Sequence, residues 1–148
     1  MKSEIQKIID IVRHTYEKNA WHGPSVKETL AMVKEQEATK RIGNSHSIIE
    51  LVAHMTTWRM YVIEQLKGNE SFELSDEQNF PKEKNWKKAL EDLERSQTEL
   101  IGVLEQTPDA RLNDLVPNRK FKFFTMLHGI IHHDLYHAGQ ILLLKKYG

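Results

Sequence analysis

Cysteine is absent from all 148 positions. Disulfides, thiolate metal ligands and a cysteine nucleophile are thereby excluded, and any metal site must be built from His, Asp or Glu. Neither charge is in excess, since 21 Lys and Arg stand against 21 Asp and Glu. That balance leaves no basic footprint for nucleic acid, so none is expected as a partner. No apolar run approaches the ~18 residues that would suggest a membrane span. The opening stretch, M-K-S-E-I-Q-K-I-I-D, lacks the apolar core of a signal peptide. A cytoplasmic protein with no membrane partner is the expectation. Period-two alternation, internal repeats and low-complexity tracts are missing too, which leaves little room for a sheet or a solenoid.

What remains is helical spacing over almost the whole chain. Ile5, Ile8, Ile9, Val12 and Tyr16 recur every three or four residues, predicting a helix to about Asn19. W-H-G-P at 21–24 breaks it, and a shorter helical piece over 25–36 places Val26, Leu30 and Val33 on one face. S-I-I-E at 47–50 is a capping-box pattern opening a long helix to about Lys67, which Gly68 stops. Residues 68–81 read as polar and irregular. Trp86, Leu90, Leu93, Leu100, Ile101 and Leu104 mark a third long helix ending near Gln106, before the break at Thr107 and Pro108. A connection over 108–122 has room for one helical turn, and the last long helix runs from about Phe124 to Lys146. Four long helices and a short one predict a single all-α domain over 1–148, a four-helix bundle. The connections after the first and third long helices are long enough for a crossover, so simple up-down-up-down order does not follow.

Four of the eight histidines fall in H-G-I-I-H-H-D-L-Y-H-A-G-Q, residues 128–140. A helix turns about 100° per residue, so His128 pairs with His132, and His133 with His137. With His133 at zero, His137 lies roughly 40° away and Gln140 about −20°, and Met126, Ile130, Ile141 and Leu144 fall within about 80°. The 133/137 pair therefore sits on the stripe facing the bundle interior, whereas His128 and His132 belong to other faces. Two imidazoles one turn apart can grip one ion, as in H-E-x-x-H metalloproteases, but Asp134 stands where those need Glu. A third ligand has to come from upstream. Of His14, His22, His46 and His54, only His54 shares a helix face with apolar neighbours, with Leu51, Trp58 and Tyr61 within about 60°. His54, His133 and His137 can thus be one metal site or three histidines incidental to the core.

E-L-V-A-H-M-T-T-W (50–58) followed by H-H-D-L-Y-H-A-G-Q-I (132–141) resembles the DinB-like superfamily of metal-dependent enzymes. Its pattern has one His in the second long helix and H-x-x-x-H-x-G-Q in the last. W-H-G-P-S (21–25) and S-H-S-I-I-E (45–50) are similar to further elements of the family. The resemblance implies an up-down-down-up bundle and a metal site carried by His54, His133 and His137. Zinc and nickel are the metals it implies. Some relatives transfer low-molecular-weight thiols such as bacillithiol or mycothiol to electrophiles, others are grouped with hydrolases, and the family has no established role in DNA repair.

Three neutral imidazoles suit Zn, Ni, Co or Fe better than Mg or Ca, which prefer oxygen. They leave an open position for water or substrate, as catalytic zinc sites do. The leading expectation is a metal-dependent enzyme acting on a small molecule, thiol S-transferase-like or hydrolase-like, with a low-molecular-weight thiol as a possible cosubstrate. The alternative is a non-catalytic metal-binding or dimeric interaction bundle. Trp21 and His22 can line a substrate pocket if their loop folds over the site, or can anchor the loop. Gln140 can bond a bound molecule or cap the core. Glu50 can support His54 from one turn away or serve only its capping box, and the capping role is favoured. Asp134 reads as a solvated helix residue. A second stripe on the last helix, Leu127, Ile131, Leu135, Ala138 and Leu142, predicts a homodimer if the chain itself does not cover it.

Overall fold

The computed structural model describes residues 1–148. Six helices form, α1 (Glu4–Tyr16), α2 (Val26–Ala31), α3 (Ile48–Leu66), α4 (Asp76–Asn79), α5 (Trp86–Glu105) and α6 (Phe123–Tyr147), and there is no strand. Short 3-10 turns occupy Glu35–Glu37 and Asp109–Asn113. No helix is long and apolar enough to cross a membrane.

Local chemistry sets where the helices start. Ser3, Ser25, Ser47 and Ser75 each accept the N–H of the residue three ahead, and Gln6, Glu28, Glu50 and Gln78 accept the serine N–H in return. Each box satisfies two backbone donors that a helix otherwise leaves open, and removing the serine side chain typically costs ~1 kcal/mol. Asn85 caps α5 with its side chain. Gly68, at φ +85°, ends α3 in the left-handed conformation that suits glycine.

The four long helices pack in a ring, α1 beside α5, α5 beside α3, α3 beside α6, and α6 beside α1. The side-chain partners give the directions. Arg59 meets Gln97, and Lys67 meets Glu99, so α3 and α5 run parallel. Arg13 meets Glu105, and Tyr16 meets Glu94, so α1 and α5 oppose each other. Val52 and Met55 share a cluster with Ile141 and Leu144, whereas Tyr61 and Val62, further along α3, share one with Met126 and Leu127, so α6 runs against α3. The order is up-down-down-up.

Parallel neighbours need a connection as long as the bundle, and residues 67–85 are that connection, not the stretches after α1 and α5. On its way the chain winds α4 against α3. The stretch expected to be irregular therefore carries a short helix, S-D-E-Q at 75–78 being its capping box.

Two apolar clusters fill the bundle. One joins Ile5, Ile9, Val62, Leu100, Leu104 and Leu127, and the other joins Leu30, Val52, Met55, Leu93, Ile141 and Leu144. Within this interior lie Arg59, Gln97, Asp134, His54 and His137, all buried. The second α6 stripe is largely covered by the chain. Leu127 and Ile131 are buried in the cluster that includes the α1 isoleucines, and Ala138 is buried in the one that includes Tyr16 and Val26. Leu135 lies against the core, and Leu142 is half-buried. That stripe gives no argument for a second subunit.

Candidate metal centre

The antiparallel crossing of α3 and α6 brings His54, His133 and His137 together. His133 Nε2 lies 3.0 Å from His54 Nε2 and 3.1 Å from His137 Nε2. The ring centroids lie 4.4 to 4.9 Å apart. His54 and His137 are buried and His133 half-buried.

Their other nitrogens decide the tautomers. His54 Nδ1 lies 2.6 Å from the Asn79 carbonyl oxygen, which can only accept, so this nitrogen carries the proton and Nε2 presents a lone pair. His137 Nδ1 donates in the same way to Gln140 Oε1 at 2.6 Å. His133 Nδ1 is buried without a partner in the chain. Burial lowers all three pKa values, the His133 value to about 3, where the charges of His137, His54 and Arg59 add to the effect. Three neutral imidazoles thus aim Nε2 atoms at one point, and they have at most one Nε2 proton to share. Hydrogen bonding among them cannot satisfy the cluster, whereas one divalent cation can. Edges of 3.0 and 3.1 Å suit nitrogens each about 2.0–2.1 Å from a common ion. The donor set fits the metal.

Several neighbours escaped the sequence. Asn79 grips twice, its carbonyl on His54 and its Oδ1 accepting Trp58 Nε1–H at 2.9 Å. Phe80 is stacked between His46 and His54, at 3.6 and 4.0 Å between centroids. Both residues come from the crossover, and the Ser75 to Gln78 capping box was their one readable signal. Arg59 is buried and bonded to Asp134 and Gln97. Asp134 is consequently not a solvated helix residue. It faces the bundle interior, where burial pushes its pKa up to about 6 while Arg59 pulls it down.

Other sequence candidates land elsewhere. Glu50 accepts from Ser47 N and Oγ at 2.7 and 2.9 Å and from Arg41 at 3.1 Å, and it has no hydrogen bond to His54. The outer hydrogen-bond partners of the three-ring cluster are instead Asn79, on His54, and Gln140, on His137. Trp21 is fully exposed, and His22 Nε2 turns back to the Pro24 carbonyl at 3.1 Å. Their loop is tied to the end of α1, where Ser25 Oγ donates to the Glu17 carbonyl, and it does not reach the histidines. His14 bonds locally to the Lys18 carbonyl, His128 bonds to the Phe124 carbonyl, and His132 is exposed. Gln140 does sit at the site, at the wall of a cavity of about 470 Å³ that also touches His137, His46 and Tyr136. A second cavity, about 290 Å³, opens beside His133.

Fold and site together define a helical bundle with a buried three-histidine centre between its second and last long helices. The sequence model of the DinB superfamily matches residues 20–141, and the chain belongs to that superfamily. No curated protein and no solved structure matches it.

Proposed function

We propose that the protein is a metal-dependent enzyme that holds one divalent ion, zinc or nickel, on His54, His133 and His137 and acts on a small molecule. One observation carries this reading: three Nε2 atoms converge, and two of them are committed as lone pairs by bonds to Asn79 and Gln140. Family membership is compatible with it. A divalent ion there supplies Lewis acidity, which lowers the pKa of a water or thiol at an open position toward neutrality. The chain's own contribution is to hold the rings in one tautomer, to bury them away from bulk solvent, and to leave cavities beside His133 and His137. Gln140 orients His137 and forms part of a cavity wall, where it can also meet a substrate.

The reaction is thiol transfer to an electrophile or hydrolysis, in a cytoplasmic setting. A homodimer would have to form through a face other than the covered α6 stripe. The test is metal analysis of the purified protein, followed by a screen of low-molecular-weight thiols against an electrophile with the metal present and stripped. Turnover that follows the metal and requires a thiol supports the transferase. Metal-dependent ester or amide cleavage without thiol supports the hydrolase, and protein that binds no stoichiometric metal overturns both.

A further inference from the structure

The cavity beside His133 has fewer polar groups in its wall than the one beside His137, although Ile42, Leu51, Phe80, Leu143 and Leu144 make the latter largely apolar too. The walls at His133 are Trp58, Tyr61, Val62, Phe121, Met126 and Ile130, with no charged residue among them, and the only polar additions are Thr125 and His133 itself. An apolar cavity of about 150 Å³ already accepts a benzene ring. The volume here, about 290 Å³, is enough for one substituted ring or two fused rings. Gly129 also lines it, one turn before His133 on the same helix, and a Cβ there would meet nothing within 4 Å. Glycine weakens a helix interior relative to alanine, so its presence within α6 needs a local reason. Gly129 is exposed at the rim of this cavity, so a leucine there has free room to lie over its mouth next to His133.

We propose that this cavity is the acceptor chamber for an apolar group of the substrate, ring-sized and uncharged, and that Gly129 keeps it open. The proposal rests on the reading of the three histidines as the reacting centre, because the chamber then holds the substrate's apolar part next to that centre. The cavity at His137 adds Ser45, His46 and Gln140 to its apolar wall of Ile42, Leu51, Phe80, Leu143 and Leu144, and it is left for the reactant that carries hydrogen-bonding groups.

The test uses 2-naphthylmethanol as probe and glucose as a polar control, titrated into the full-length protein both metal-stripped and metal-loaded. The Trp58 indole N–H signal is followed by NMR. Expected is a saturable shift with the naphthyl probe and none with glucose. Gly129→Leu should weaken probe binding at least about tenfold. Gly102→Leu, the same change at an unobstructed glycine of α5, should leave it as in the native chain. Metal content of Gly129→Leu should stay at the native level, which separates loss of the chamber from loss of the histidine centre. A native chain whose Trp58 signal ignores the naphthyl probe overturns the proposal. So does a Gly129→Leu chain that binds it undiminished. Protein that takes up the probe but no metal would leave the chamber standing and sink the enzyme reading instead.

Discussion

Two buried polar groups lie side by side between α3 and α6, and they differ in what they lack. The first is Arg59 with Asp134 and Gln97, a cation meeting a carboxylate and an amide. The second is His54, His133 and His137, three neutral rings whose Nε2 atoms face one another. Both groups bear the cost of burial. In the first, opposite charges and two donor–acceptor pairs offset part of that cost within the chain, while Arg59 Nε, Gln97 Nε2 and Asp134 Oδ1 stay without a partner. In the second, Asn79 and Gln140 answer the outer nitrogens of His54 and His137, but nothing in the chain answers the three facing Nε2 atoms together. Adjacent residues of α6, His133 and Asp134, belong to different groups, so helical phase alone decides which kind of chemistry each joins. Buried polar side chains with complementary partners hold a fold, whereas buried acceptors without a donor mark a place for something else.

The largest expected effect separates the two groups by occupancy. His133→Gln or His137→Gln should reduce bound metal from about one ion per chain to near none, since two imidazoles lack the third ligand of an open site. His128→Gln and His132→Gln should leave it unchanged. Elemental analysis after gel filtration reads this directly, and metal loss on removing His128 would break the helical-phase argument.

Stability should divide the groups the other way. Asp134→Ala leaves the Arg59 guanidinium buried without its carboxylate, and breaking such pairs costs about 3–5 kcal/mol. In metal-free protein, His133→Leu should cost far less, because it removes an unpartnered polar ring and adds apolar packing. Urea unfolding of both variants, stripped of metal, makes the comparison. Equal losses would mean that the histidines hold the fold as the ion pair does.

Acidity gives a third separation. His133 titrates near 3 in the folded chain against 6.5 ordinarily, and the other two rings are also lowered. The unfolded chain then binds more protons below pH 6.5, so the metal-free fold should lose stability as pH falls from there toward 3. Asp134 acts in the opposite sense. Its folded value of about 6 against 3.8 makes the folded chain the better proton binder between those limits, so its share of stability falls as pH rises through them. Three histidines outweigh one carboxylate, and the net slope should be loss on acidification. His133→Leu should flatten it, and an unchanged slope would refute the assignment of His133 as a buried neutral ring.

The histidine group was more legible in the sequence than the ion pair or the crossover. Helical phase placed His54, His133 and His137 inward because one repeat governs all of α3 and α6. The same rule set Asp134 beside His133 but could not say that a cation waited across the interface, because Arg59 sits in a different helix and phase is local information. Asn79 and Phe80 were harder still. Their role follows from the parallel order of α3 and α5, which forces residues 67–85 along the bundle past the histidines. Long-range topology of that kind leaves no periodic mark, and only the capping box at Ser75 hinted at structure there. The placement of the Trp21 and His22 loop was illegible for a related reason. Composition showed a loop but not that Ser25 ties it back to α1.

The crossover's grip on the site should show as a moderate effect. Trp58→Phe keeps an aromatic ring but removes the N–H that holds Asn79 Oδ1. Losing one such bond costs about 1 kcal/mol. Because the Asn79 carbonyl holds the His54 ring, metal affinity should also fall about tenfold. Competition with a chelator measures it, and unchanged affinity would show that the crossover does not support the centre.

The smallest effect is expected at Glu50, one turn before His54. Its carboxylate is used by Ser47 and, at the surface, by Arg41. Glutamine performs the same capping role at two other places in this chain, opposite Ser3 and Ser75. Glu50→Gln should therefore keep the box and lose the charge contacts with Arg41 and, at 3.9 Å, His46, partly exposed pairs of which each is worth about 0–1 kcal/mol. Burial works against the charged carboxylate and the Ser47 bonds favour it, leaving the Glu50 pKa lowered, so the small loss should appear only at pH values where the native side chain is ionised. Metal affinity should not move, because no hydrogen bond links Glu50 to the three rings. Residues that do support a ligating ring typically change affinity about 10- to 100-fold when altered. A shift of that size in Glu50→Gln would place its carboxylate in the electrostatics of the centre, and the division between capping and metal binding along α3 would have to be redrawn.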